Sequence, residues 1–403
     1  MRGLVLEGGG VKGAYHIGVL TALKEEGYEF DGFVGTSIGA INSALLAAGE
    51  WDKALKMWNN INVQNVLDMD EYDLKRIFAG RFNVELLGNV GKLVSNLGGF
   101  IDTTTDKMRE YFKQFIDEKA IRESGKDYGL VTYSVPDFEP HYLMKEDIPD
   151  GRLYDYIMAS AAYPAFRWQK IEGKEDKWFI DGGVYDNMPL KMLIDKGYED
   201  IVVIRTNIKK YRRKVDIKGA KVTYFTPGEK LDFAIKFTKE NVDKYMEMGY
   251  YEAKRILLKM PSARYCVSGI SNDDFYVFLY GIDKDCVIEI IKNAKLKPHK
   301  NHDANLEDLF DILRGELGLA SDTPDSTAFI NFLEVFAALF KVNRFRYYTL
   351  RELYEWIMLY AHEECRSAGG DIEEVLKRDR SVKSELKNVF ATLYRHYKFS
   401  EGK

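Results

Sequence analysis

Residues 33–44 constrain the fold more than any other stretch, because a short apolar segment there runs almost directly into a helix-forming run. The segment ends at Val34, and Gly35-Thr36-Ser37-Ile38-Gly39 leads into the helical pattern. Joining a strand to a helix with so little loop strains the backbone at Ser37, and the flanking glycines leave room for the tight turn. The turn holds the Ser37 hydroxyl above a helix N-terminus, where partial positive charge stabilises a developing anion.

These five residues match G-x-S-x-G, the nucleophile-elbow pattern of serine hydrolases. The pattern is common by chance, and serine is also a favoured residue at helix N-caps. Taken alone, the motif leaves two interpretations open: a catalytic Ser37, and an ordinary turn with a helix cap.

Composition places the chain among ordinary soluble globular proteins. Its 403 residues are enough for two domains, and a net charge of −5 gives no general reason to expect a nucleic-acid partner. Three widely spaced cysteines, Cys266, Cys286 and Cys365, fit free thiols in a reducing compartment. Glu7 interrupts the first apolar run, and no run approaches about 18 apolar residues. We therefore expect a cytoplasmic protein, and peripheral contact with a membrane stays open.

Strand and helix patterns alternate over residues 1–261. Strands are predicted over residues 4–6, 129–135, 141–144, 177–180, 201–205 and 222–225. Helices are predicted over residues 14–25, 51–59, 104–116 and 154–162, from about Asn187, and over 227–260 before Pro261. The alternation predicts a three-layer α/β/α domain with a mainly parallel sheet.

Residues 262–403 change to a mainly helical pattern after one predicted strand over 275–280. Thr349 and Glu352 have the spacing of a capping box. Apolar residues at three-to-four spacing, among them Phe332, Phe336 and Trp356, indicate a helix–helix core. We predict a separate C-terminal helical region of unknown role.

A catalytic serine needs a site for the oxyanion, and a glycine turn after the first strand offers one. It contains Gly8, Gly9, Gly10, Val11, Lys12 and Gly13. Backbone amides there can approach a carbonyl oxygen without obstruction by side chains. The turn also matches G-x-G-x-x-G, the dinucleotide fingerprint, which requires an acid at the end of the second strand. That end carries the Gly35–Gly39 elbow instead, so we disfavour nucleotide binding.

The general base is harder to assign, because none of the six histidines lies in a recognisable triad context. His16 and His141 look structural, and His299 and His302 beside Asp303 form only a loose metal-like cluster. Asp181 ends an apolar strand and precedes Gly182 and Gly183. At the carboxyl edge of a parallel sheet, it would face the same crevice as Ser37.

Three motifs in this order, Gly8–Gly13, Gly35–Gly39 and Asp181-Gly182-Gly183, resemble those of the patatin-like phospholipases. Ala159-Ser160-Ala161-Ala162-Tyr163-Pro164 and Asn187-Met188-Pro189 are similar to accessory stretches of that family. The resemblance covers roughly residues 4–205. Two positions depart from its pattern: Glu7 stands where Asp is frequent, and Lys12 where Arg is usual. Lys12 keeps the positive charge of Arg but lacks its planar guanidinium fork.

The resemblance implies an acyl hydrolase with a Ser–Asp dyad: Ser37 as nucleophile, Asp181 as base, and Gly9 and Gly10 amides as oxyanion donors. It implies no metal or cofactor, and a lipid ester substrate such as a phospholipid, lysophospholipid or acylglycerol. The alternative is a catalytically weak scaffold of the same type that acts as a membrane-binding or regulatory module.

Two further segments carry open interpretations. Residues 80–99 read as local helices packed on the core or as a lid over a cleft. The basic run Lys209–Lys214 reads as a solvated loop or as a contact with anionic headgroups. Oligomeric state, acyl-chain preference and headgroup preference have no signal in the sequence.

Overall fold

The computed structural model describes residues 1–66, 106–163, 168–208, 214–232 and 236–397. It divides into two compact units, Met1–Ala253 and Lys254–Lys403. The candidate lid at 80–99 lies outside the described residues, as does the basic run except for Lys214. Within the described residues, every helix is too short or too polar to span a lipid bilayer.

The first unit is built on a mixed, mostly parallel sheet. Its strands are β1 Arg2–Leu6, β2 Gly32–Thr36, β3 Asp127–Val135, β4 Pro140–Met144, β5 Trp178–Asp181, β6 Asp200–Ile204 and β7 Lys221–Phe225. In the described residues they lie in the order β4–β3–β2–β1–β6–β7, and β5 also pairs with β3. β4 and β5 run antiparallel to β3, whereas the other pairs are parallel. The predicted mainly parallel sheet is confirmed.

Helices cover both faces of this sheet. Helix Leu190–Asp195 packs in one apolar cluster with Val34 and Val131. Tyr128 lies an odd number of residues from Val131 and so points to the opposite face, where its hydroxyl donates to the carbonyl of Ala40 at 3.1 Å. The predicted three-layer arrangement therefore holds. In the described residues its helices are Gly13–Glu25, Ile38–Ala47, Trp51–Asn60, Val63–Val66, Asp106–Lys113, Glu118–Glu123, Leu153–Ser160, Leu190–Asp195 and Lys239–Leu257.

The second unit is mainly helical, as predicted, and has its own aromatic core. Phe336 and Phe390 stack within this core with ring centroids 4.1 Å apart. The capping box of Thr349 and Glu352 is present. The helices are Asn272–Tyr280, Lys284–Asn293, His302–Leu317, Asp325–Leu339, Leu350–Ser367, Ile372–Lys377 and Ser384–His396, and two short strands, β8 Cys266–Val267 and β9 Tyr347–Tyr348, pair in parallel.

The predicted strand over 275–280 is wrong, because these residues belong to helix Asn272–Tyr280. The aromatic content of the segment favours a strand. However, its buried residues Phe275, Phe278 and Leu279 recur at helical spacing, and the Ser271 side chain caps the helix. Tertiary packing and the cap outweigh β-propensity here.

Two predicted helices begin later than expected. The helix predicted from residue 227 begins at Lys239, and the Gly228 N–H instead donates to the Glu252 carboxylate at 3.1 Å. The helix predicted from about Asn187 begins at Leu190, after Pro189. The Asn187 side chain donates to the carbonyl of Gly8 at 3.1 Å, so a tertiary contact holds this residue outside the helix.

Candidate active site

The turn at Ser37 has the strained backbone that the G-x-S-x-G pattern predicts. Ser37 has φ 58° and ψ −128°, immediately after β2 and before helix Ile38–Ala47. A Cβ atom at Gly39 would lie 2.1 Å from the Leu6 carbonyl oxygen, so only glycine permits this close approach of helix and strand. The close packing around the turn holds a conformation that a serine rarely adopts.

Ser160 satisfies the backbone of this strained turn. The Ser37 N–H donates to the Ser160 hydroxyl oxygen at 3.0 Å, and that hydroxyl donates to the Val131 carbonyl at 2.6 Å. Ser160 is fully buried. The turn is therefore tied to β3 through one side chain, and sequence reasoning had placed Ser160 only within an accessory stretch.

The pairing of β3 explains why Ser37 and Asp181 meet. β4 occupies one edge of β3, and on the other edge Thr36 pairs with Val131 while Asp181 pairs with Thr132. β2 and β5 therefore approach each other end to end along the same edge. Since Ser37 follows Thr36 directly, the sheet brings the hydroxyl and the carboxylate together although 143 intervening positions separate them.

Asp181 is a buried carboxyl group beside the candidate nucleophile. Its side chain accepts a hydrogen bond from the Gly183 N–H at 2.7 Å, and the nearby Ser37 side chain lowers its pKa. Burial raises the pKa of Asp181 to about 6, and the interactions with Ser37 and with the Gly183 N–H oppose that rise. The group is therefore mostly ionised at pH 7, yet its proton affinity is well above that of an exposed aspartate.

The glycine turn lies directly against Ser37. A Cβ atom at Gly8 would lie 3.1 Å from the Ser37 Cβ atom, and Gly10 has φ 57°. The N–H groups of Gly8 and Lys12 donate to Asn187 and Gly9 carbonyls. Among the described residues, the N–H groups of Gly9 and Gly10 have no protein acceptor. Two backbone donors thus remain in the loop beside the candidate nucleophile.

The other residues of the turn pack or carry charge. Val11 is fully buried, and a Cβ atom at Gly13 would lie 2.7 Å from the Ile38 side chain. Burial lowers the pKa of Lys12, and the nearby Glu7 carboxylate opposes this shift. The turn therefore packs against the elbow on one side and carries a cation beside Glu7 on the other.

Glu7 anchors the turn to the end of β6. Its carboxylate accepts the backbone N–H groups of Thr206 at 2.7 Å and Asn207 at 3.2 Å. Burial raises the pKa of Glu7, although these hydrogen bonds and the Arg205 charge lower it in part. The acid that precedes the glycines therefore holds the neighbouring strand end in place.

Neither histidine of the first unit hydrogen-bonds to Ser37 or Asp181. His16 is fully buried, its Nδ1 lies 3.2 Å from Asn42 Nδ2, and burial lowers its pKa to about 3. His141 contacts the Ser134 hydroxyl at 2.8 Å. In the second unit His299 lies 3.2 Å from Asp308, and no group of three or more His, Cys, Asp or Glu side chains among the described residues is placed to hold a metal ion.

Thr206 is the neighbour of this site that sequence reasoning missed. It follows β6, and its hydroxyl donates to the Gly8 carbonyl at 2.6 Å. The rule that functional side chains lie beyond the carboxyl ends of parallel strands would have found it. The same rule had already selected Ser37 after β2. It does not explain Asp181, because β5 runs antiparallel to β3 and its carboxyl end meets that of β2 head-on.

A family model described as patatin-like phospholipase matches residues 4–194. This segment includes the glycine turn, the Ser37 elbow and the turn formed by Asp181, Gly182 and Gly183, called the Asp181 turn below. Residues 4–194 of the chain are therefore similar to the patatin-like phospholipase family.

Curated relatives match about half of the chain or somewhat more. Neuropathy target esterase sws of Drosophila melanogaster is 27% identical in an alignment of 222 residues, which covers 50% of this chain and 12% of that protein. Uncharacterized protein YjjU of Escherichia coli K12 is 28% identical over 50% of this chain and 51% of its own length. Probable lipid hydrolase 463L of Invertebrate iridescent virus 6 is 22% identical over 65% of this chain and 90% of its own length. The chain thus spans 12% of the length of the first of these relatives and about half of the length of the second.

Among solved structures, VipD from Legionella pneumophila aligns over 98% of this chain and 90% of its own. The identity is 14% and the TM-score is 0.42.

Proposed function

We propose that this protein is a serine acyl hydrolase that cleaves carboxylic esters of lipids through a Ser37–Asp181 dyad. The observation that carries the proposal is that the Ser37 side chain lies beside the buried Asp181 carboxylate and lowers its pKa. A strained serine beside a carboxylate of raised proton affinity is suited to nucleophilic catalysis.

In the first half of the proposed reaction, Ser37 Oγ attacks the ester carbonyl carbon while its proton moves to the Asp181 carboxylate. Negative charge then develops on the carbonyl oxygen, and in this proposal the Gly9 and Gly10 N–H groups stabilise it. The tetrahedral intermediate collapses, the C–O bond to the alcohol breaks, and Asp181 returns the proton to the leaving oxygen. An acyl group remains on Ser37.

In the second half, Asp181 takes a proton from a water molecule, which attacks the acyl carbon. The second tetrahedral intermediate releases the fatty acid, and the proton on Asp181 returns to Ser37. One carboxylate thus serves both half-reactions as general base and then general acid. A pKa of about 6 suits both roles near neutral pH.

The relatives support a lipid ester rather than another ester as substrate. Two of them are named an esterase and a probable lipid hydrolase, and the family model is that of a phospholipase. Phospholipids, lysophospholipids and acylglycerols all remain candidate substrates. Cytoplasmic location and peripheral membrane contact stay predictions.

The test is hydrolysis of p-nitrophenyl esters of increasing chain length and of phospholipid vesicles, by wild type and Ser37→Ala. We expect activity that rises with chain length in wild type and is lost in the variant. Ser43→Ala is a matched control, since this buried serine follows in the same helix, outside the proposed site. A folded wild type that is inactive on every ester would contradict the proposal and favour the non-catalytic scaffold.

A further inference from the structure

The carbonyl of Gly8 is held by two side chains from distant parts of the chain. Thr206 Oγ1 donates to it at 2.6 Å, and Asn187 Nδ2 donates to it at 3.1 Å. A carbonyl oxygen has two lone pairs, so both are occupied. The orientation of the Gly8–Gly9 peptide plane is therefore set by residues outside the glycine turn.

This plane also determines where the Gly9 N–H points. In a trans peptide the C=O and the following N–H point in opposite directions. Because the Gly8 carbonyl faces Thr206 and Asn187, the Gly9 N–H faces away from them. A peptide between two glycines has little intrinsic preference for one orientation, since neither flanking residue carries a Cβ atom.

Both anchoring side chains are themselves fixed. Thr206 is 2% exposed, and its backbone N–H donates to the Glu7 carboxylate at 2.7 Å. The backbone carbonyl of Asn187 accepts the Gly8 N–H at 3.1 Å, so this residue contacts both polar groups of Gly8. A Cβ atom at Gly183 would lie 2.7 Å from Asn187 Oδ1, which places the amide between the glycine turn and the Asp181 turn.

We propose that Thr206 and Asn187 are positioning residues that aim the Gly9 N–H at the oxyanion formed on the acyl carbon. The inference rests on the proposed hydrolase function. It assigns to Thr206, beyond the β6 strand end, a part in transition-state stabilisation without contact with the substrate. Such an effect changes kcat and leaves substrate binding intact, because the donor matters only when the oxyanion forms.

The test compares Thr206→Val with Thr206→Ser. Valine keeps the shape and loses the hydroxyl, whereas serine keeps the hydroxyl and loses the methyl group. For Thr206→Val we expect kcat to fall about tenfold or more with KM unchanged, since direct loss of an oxyanion donor costs about 100-fold or more. Thr206→Ser should keep most of the activity.

A second readout separates positioning from general damage to the fold. An acyl trifluoromethyl ketone, which forms a tetrahedral oxyanion adduct with a serine, should bind Thr206→Val more weakly by about the same factor as the fall in kcat. If Thr206→Val does not fold, Asn187→Ala removes the other donor to the same carbonyl and provides the same comparison.

Three results would overturn the inference. The first is a Thr206→Val variant that matches wild type in kcat and in inhibitor affinity. The second is a Thr206→Ser variant that loses as much activity as Thr206→Val, which would implicate packing by the methyl group. A folded wild type that neither hydrolyses esters nor binds the ketone would overturn the proposed function as well. An active wild type with an unaffected Thr206→Val would overturn the positioning role alone.

Discussion

The proposed chemistry depends at the residue scale on the protonation state of Asp181. Burial raises its pKa to about 6, and only the ionised form can accept the Ser37 proton. We therefore expect kcat/KM to rise with pH through about 6 and to level off above it. The profile can be followed with p-nitrophenyl esters at the isosbestic wavelength of the product. A rise in kcat/KM with its midpoint near pH 4 would contradict a general base whose pKa is raised by burial.

The same pKa predicts an effect of Asp181 on stability. A carboxyl group whose pKa is higher in the folded protein than its ordinary 3.8 opposes folding once it ionises. That cost is absent below pH 3.8, grows up to about pH 6, and is complete above it. Asp181→Asn removes the cost, so its free energy of unfolding should exceed that of wild type by up to about 3 kcal/mol at pH 8.

Urea unfolding at pH 8 and at pH 4.5 measures this difference, and near-UV circular dichroism checks that the variant is folded. The gain at pH 8 should shrink strongly at pH 4.5. Asp176→Asn, at an exposed position on the approach to the same strand, is the matched control and should change little. A variant that is less stable than wild type at pH 8 would show that Asp181 holds the fold together instead of straining it.

At the scale of the elements, the elbow depends on the contact between helix Ile38–Ala47 and β1. Gly39→Ala would bring a Cβ atom to 2.1 Å from the Leu6 carbonyl oxygen. We expect a loss of about 3 kcal/mol in the free energy of unfolding, and loss of esterase activity as Ser37 is displaced. Gly315→Ala is the control. It lies within helix His302–Leu317 with open space around it, so it should be neutral or slightly stabilising. Equal effects of the two substitutions in chemical denaturation would contradict the steric argument.

The elements themselves were largely predictable, because apolar runs bounded by glycines define the strands of the first unit. The motifs also marked Ser37, Asp181 and the glycine turn before any contact was known. The contacts that depend on strand order could not be predicted from the sequence. Ser160 and Thr206 reach Ser37 and Gly8 only because β3 and β6 flank β2 and β1 in the sheet. Helix Asn272–Tyr280 was mispredicted for a different reason, because its aromatic residues favour a strand. Packing in the core of the second unit stabilises the helix instead.

On the scale of the whole molecule, the chain forms two units with separate cores. A substitution in the core of the second unit should therefore lower the stability of that unit. Phe336→Ala removes a ring that is fully buried and stacked on Phe390. We expect a loss of about 3–5 kcal/mol in the stability of the second unit. Hydrogen exchange in the full chain should show faster exchange in helix Asp325–Leu339 than in wild type, with β1 little changed.

Leu359→Ala is the control for this prediction, because Leu359 is 42% exposed on helix Leu350–Ser367. Its effect should lie within about 0.5 kcal/mol of wild type. If Phe336→Ala speeds exchange equally in both units, they unfold as one cooperative body and the division into independently stable units is wrong.

The most direct measurement of the central claim is the rate at which a long-chain fluorophosphonate modifies Ser37, located by mass spectrometry of the digested protein. A serine activated by a neighbouring carboxylate should react once, at Ser37, and the rate should rise with pH through about 6. Asp181→Asn should slow the reaction by about 1,000-fold or more while the protein stays folded. Modification at another residue, or an equal rate in Asp181→Asn, would contradict the Ser37–Asp181 dyad.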